Sequence, residues 1–98
     1  MTALSTDLRD PNAIPYFTWD APMTVAELRR RLDRASEPER IRLLGKILRE
    51  ARDTDVWMFT TPDQVVQSWS RLAKHLGWRR PFWDFLLRHW RDAGLVHD

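Results

Sequence analysis

Three histidines, His75, His89 and His97, are the residues best suited to acid–base or metal chemistry, and their spacing suits neither. No two of them stand four apart on one helical face, and no acidic ligand pattern adjoins them. His75 and His89 fall near helix C-termini, where a partly charged imidazole complements the helix dipole. The carboxylates are equally unhelpful as an acid–base pair. Glu27, Glu39 and Asp63 sit at helix starts, and Glu50 and Asp53 flank a helix end. Asp53 and Asp55 bring two carboxylates close in sequence, too few for a calcium or magnesium cage. Ser68 and Ser70 lie mid-helix, without the sharp turn that exposes a nucleophile. The three glycines, Gly45, Gly77 and Gly94, form no phosphate loop. Cysteine is absent, which excludes disulfides and thiolate chemistry. The chain reads as a protein without a catalytic site, a metal or a cofactor.

The aromatic residues stand out instead. Trp19, Trp57, Trp69, Trp78, Trp83 and Trp90 join Tyr16, Phe17, Phe59, Phe82 and Phe85 in a chain of 98 residues. Trp69 shares a helical stripe with Val65 and Leu72 and reads as core, as does Trp90. Trp57 anchors a short apolar segment. A domain this small has few interior positions for six indoles, each of whose N–H groups needs a partner when buried. Tryptophan and arginine also dominate binding hot spots. A contact surface is therefore expected among Tyr16, Phe17, Trp19, Trp78 and Trp83, with Trp78-Arg79-Arg80 its best local chemistry.

Three capping boxes set the elements that must position these side chains. Thr24 with Glu27 opens a helix to about Ala35, with Val25, Leu28 and Leu32 on one stripe. Ser36 with Glu39, and Pro38 in the first turn, opens a second to about Arg52. Its apolar side is Ile41, Leu44, Ile47, Leu48 and Ala51, and Gly45 within it suggests a close neighbour. Thr61 with Gln64 opens a third, through Leu76, closed by Gly77. Pro81 starts the last helix, Phe82 to about Ala93, which is apolar round most of its circumference; such a helix is central or covered by a partner. Between these, Val56-Trp57-Met58-Phe59 is too short for its period to separate helix from strand, and a short helix over residues 53–60 is the preferred reading. The expectation is an all-α compact bundle of four main helices plus one short one. An extended aromatic segment, Ile14 to Pro22, precedes it, bracketed by Pro15 and Pro22. Residues 1–13 are polar and aperiodic and read as a flexible tail; residues 14–98 form one helical domain.

The net charge is +2, distributed as −3 over residues 1–28, +5 over 29–52, −3 over 53–70 and +3 over 71–98. A nucleic-acid binder gathers positive charge on one face, and whether the two basic blocks meet is a question for the structure. No apolar run approaches the roughly 18 residues of a membrane span. Met1 to Asp10 lacks the basic and apolar regions of a signal peptide. The expected compartment is the cytoplasm.

Tyr16-Phe17-Thr18-Trp19-Asp20, the arginine-rich first helix, and Ile47-Leu48-Arg49-Glu50-Ala51-Arg52-Asp53-Thr54-Asp55-Val56-Trp57 together resemble a family of small bacterial proteins. These are encoded beside nucleotidyltransferase toxins of the AbiEii class. The likeness covers residues 14–60 and, more loosely, the helix from Phe82-Trp83 to Trp90. It implies a cytoplasmic, helical, antitoxin-like partner that binds and restrains a nucleotidyltransferase, with the active site in the partner. The docking residues would be Tyr16, Phe17, Trp19, Trp78, Arg79, Arg80 and Trp83. Arg29, Arg30, Arg31 and Arg34 would meet acidic surface or a phosphate-binding cleft, where a guanidinium fork imitates substrate contacts. The alternative is a helical DNA-binding regulator acting on operator DNA. In that reading Arg40, Arg42, Lys46, Arg49 and Arg52 lie on a recognition helix, although Glu37 and Glu39 occupy its first turn.

Overall fold

Three hydroxyls start helices at the expected places. Thr24 Oγ1 accepts the Glu27 amide at 3.1 Å, Ser36 Oγ the Glu39 amide at 3.4 Å, and Thr61 Oγ1 the Gln64 amide at 3.2 Å. They begin α1 (Val25–Arg34), α2 (Glu37–Glu50) and α4 (Pro62–Gln67) in a computed structural model that describes residues 3–96. His97 lies outside the described residues. The reciprocal arm of the first box differs from expectation, because the Glu27 carboxylate turns to Arg30 and Arg31. The chain is mostly helical, completed by α3 (Asp53–Val56), α5 (Trp69–Leu72) and α6 (Arg80–Asp92).

The third expected helix is broken in two. Ser68, buried at φ −99° and ψ 4°, ends α4, and its carbonyl accepts the amides of both Arg71 and Leu72. Serine competes with the helix for backbone hydrogen bonds, so it yields where a turn is wanted. After α5 the chain tightens into 3-10 turns at Ala73–His75 and Gly77–Arg79. Gly77, at φ +55°, supplies the left-handed residue between them.

Residues 4–13, expected to belong to a tail, are docked on the domain. β1 (Leu4–Ser5) pairs in parallel with β2 (Ile14–Pro15), and Leu8 and Ala13 are buried in the core. The carbonyls of Ala13 and Pro11 accept the amides of Val25 and Ala26 at 2.9 and 3.0 Å. Those amides open α1 and have no partner within it, so the segment serves as a backbone cap. Polar composition hid a role played by carbonyl groups and one leucine. The aromatic segment is likewise not extended throughout, since Tyr16–Thr18 forms a 3-10 turn.

α2 is the hub, packed against α1, α3, α5 and the turns at 73–75 and 77–79. Leu44, Ile47 and Leu48 are buried along it and meet Leu72, Leu76, Trp83 and Leu87 in one core. Gly45 is the close approach the sequence suggested. A Cβ there would lie 2.6 Å from the Cβ of His75. Gly45→Ala therefore forces α2 and the 73–75 turn apart. It should cost about 1–3 kcal/mol in chemical denaturation, and a melt unchanged from wild type would show that the contact is loose.

Candidate functional site

The end of α2 decides where the candidate aromatics go. The last carbonyls of a helix lack partners within it, and here distant side chains supply them. The amide of Arg52 would ordinarily bond to the carbonyl of Leu48, but it donates to the Tyr16 hydroxyl at 2.7 Å. The Leu48 carbonyl takes the Trp83 indole N–H instead, at 2.8 Å. Arg79 Nη1 donates to the Ala51 carbonyl at 3.0 Å. Arg49 Nη1 donates to the His75 carbonyl at 2.8 Å, tying the same end to the 3-10 turn.

These bonds correct two expectations. Trp83 is fully buried, edge-on to Trp57 at 5.8 Å and to Phe82 at 5.2 Å. Phe17 is 1% exposed, between Tyr16 and Phe59 at 5.3 and 5.8 Å. Neither can touch a partner. Tyr16 is half-buried, and its hydroxyl also donates to Asp55 Oδ2 at 2.6 Å. Burial raises its pKa above the usual phenol value, and the Asp55 carboxylate adds to this while the Arg52 amide opposes it. Trp69, Trp57 and Trp90 are partly buried against the core.

Trp19 and Trp78 do reach the surface, at 63% and 81% exposure. Arg79 is pinned by the Ala51 carbonyl, and its guanidinium lies 5.8 Å from the Trp78 ring and 4.9 Å from that of Phe82. Arg80 is exposed. Two further rings, missed in the sequence as surface residues, extend the patch: Phe82 is exposed, and Phe85 is 68% exposed and stacked on His89 at 6.4 Å. Positions 82, 85 and 89 follow helical spacing on α6, and Trp78 stands on the 3-10 turn just before it. The signal was present in the apolar circumference of the last helix, half of which faces solvent. Trp19 is carried by a different segment, beside Asp20, whose carboxylate pairs with Lys46 and is held below its usual pKa chiefly by that bond.

The four arginines of α1 do not form one cluster. Arg29 lies over the Phe59 ring at 5.0 Å. It lines a depression with Arg40 and Asp33. Arg30 and Arg31 pair with Glu27, whose pKa they lower, Arg31 most. Arg34 is exposed. The two basic blocks nevertheless meet elsewhere. Arg31, Arg42, Lys46 and Arg49 line one groove with His75, and Arg42 and His75 also line a second with Arg71 and Lys74. Among the described residues, no group of three or more His, Asp or Glu is gathered to hold a metal ion. No helix there is long and apolar enough to cross a membrane. Comparison with family models, curated proteins and solved structures returns no match.

The division of the tryptophans is directly testable. Trp83→Phe removes a buried hydrogen bond and should destabilise the protein by about 1–3 kcal/mol in urea unfolding. Trp78→Ala should stay within about 0.5 kcal/mol of wild type. Equal effects would contradict the assignment.

Proposed function

We propose that this chain is a non-catalytic protein-interaction module, the antitoxin-like partner that binds and restrains a nucleotidyltransferase in the cytoplasm. The observation that carries the reading is the exposed run of Trp78, Phe82 and Phe85 beside Arg79. Large rings at helical spacing, left uncovered, are costly in water and enriched where partners dock. Their chemistry narrows the occupant. Neither Arg79 nor Arg80 has a carboxylate partner among the described residues, so the surface that covers them is apolar at its centre and acidic at its rim. Electrostatic complementarity of this kind speeds encounter and fixes orientation.

The nucleotidyltransferase comes from the resemblance carried by residues 14–60. In this reading the aromatic segment of that resemblance acts through the fold. Tyr16 holds the end of α2, Phe17 packs between Tyr16 and Phe59, and the docking face is built by α6 and the turn before it.

Co-expression with the product of the adjacent gene tests the proposal. A stable complex should co-purify and relieve toxicity, and Trp78→Ala combined with Phe85→Ala should abolish both without lowering the melting temperature. Absence of a complex would contradict the reading. So would a wild-type protein that forms only a homodimer through the same face.

A further inference from the structure

The aromatic face leaves unexplained the basic seam along the other side of α2. Arg42, Lys46 and Arg49 recur at helical spacing, so they share one face of that helix. α1 flanks the face on one side, contributing Arg31, and the 73–75 turn flanks it on the other. The groove between α1 and α2 has a volume of 360 Å³, and the neighbouring one between α2 and Lys74 has 460 Å³. Met23, Leu43 and one carboxylate, Glu39, lie in the first, and Pro38, Ile41 and Glu37 in the second, so cations outnumber carboxylates in both. Arg42 and His75 stand between the two and line both.

Not all of this charge is free. Lys46 pairs with Asp20, Arg31 with Glu27, and Arg71 with Glu37 at 2.8 Å. Arg42 and Lys74 have no carboxylate partner among the described residues, and both are exposed. Arg49 pairs with Glu50 at 3.0 Å and is aimed by the His75 carbonyl. Exposed ion pairs exchange readily for another anion, because their mutual attraction in water is small. The seam thus offers two unpaired cations, Arg42 and Lys74, and four paired ones, Arg31, Lys46, Arg49 and Arg71, of which a strand's phosphates need recruit only two.

We infer that this seam binds the phosphate backbone of a single-stranded nucleic acid. Duplex recognition fits poorly, since a helix that enters the major groove must protrude, and α2 is enclosed by neighbours along both flanks. A flexible strand can instead follow two shallow, adjoining grooves. Trp19 supplies the second requirement of such sites, an exposed ring on which a base can stack. It adjoins Asp20, the residue that reaches Lys46, and so sits at the border of the basic seam.

Titration of the full chain into a fluorescently labelled single-stranded oligothymidylate, followed by anisotropy at several salt concentrations, tests this. Four phosphate contacts predict a slope of log affinity against log salt of about −2 to −3. Arg42→Ala with Lys74→Ala should weaken binding about tenfold at low salt and bring that slope to about half. Trp19→Ala should weaken binding about tenfold and leave the slope unchanged, because stacking releases no counterions. All three substitutions lie at exposed positions, and circular dichroism of each variant confirms that it is folded. No binding at low salt would overturn the inference. Equal affinity for a duplex of the same length, equal competition by polyglutamate, or indifference to the double substitution would do so too.

Discussion

The structure depends on how one helix ends. α2 carries the centre of the core, and its last carbonyls would be buried without partners if the chain simply turned away. They are satisfied by donors from distant parts of the sequence, the indole of Trp83 and the guanidinium of Arg79, while the freed amide of Arg52 is accepted by the hydroxyl of Tyr16. A buried carbonyl left unpaired costs about 1–3 kcal/mol, so these bonds fix where α6 and the N-terminal aromatic segment can lie. Once Trp83 is drawn inward, helical spacing turns Phe85 outward. Arg79, pinned at the same helix end, holds Phe82 and Trp78 about its guanidinium. The exposed face is thus a by-product of the capping.

That origin bears on function. A docking surface built on a helix and a tethered arginine loses little conformational freedom on binding. The basic seam is organised by the same helix from its other side, where the contact of His75 on Gly45 sets the wall between two grooves. The proposed protein-binding face and the proposed strand-binding seam therefore share a scaffold while using different side chains. Trp78 and Phe85 serve the first; Arg42, Lys74 and Trp19 serve the second.

Much of this was legible in the residues, and the exceptions have physical causes. Capping hydroxyls announced α1, α2 and α4 because the signal is local: a side chain and an amide three residues on. Gly45 announced a close approach for the same reason, since only one absent Cβ had to be noticed. The break at Ser68 was hidden because a serine mid-helix tolerates either continuation or a turn. The docking of residues 4–13 was hidden because backbone carbonyls, which every sequence possesses, do the capping. Phe17 and Trp83 were expected at the surface on the argument that six indoles crowd a small core. That argument gives a number of exposed rings and not their identities; Trp83 was decided by the orphan carbonyl of Leu48 and Phe17 by the rings of Tyr16 and Phe59, which only tertiary structure reveals.

Hydrogen exchange at the six indole N–H groups, followed by nuclear magnetic resonance, tests the central claim most directly. If Trp83 closes the end of α2, its indole proton should exchange only through global unfolding, as slowly as the most protected backbone amides. The protons of Trp78 and Trp19 should exchange without protection. A Trp83 indole that exchanges as fast as that of Trp78 would contradict the account, because α6 would then have no fixed seat on α2 and the exposed face no fixed geometry.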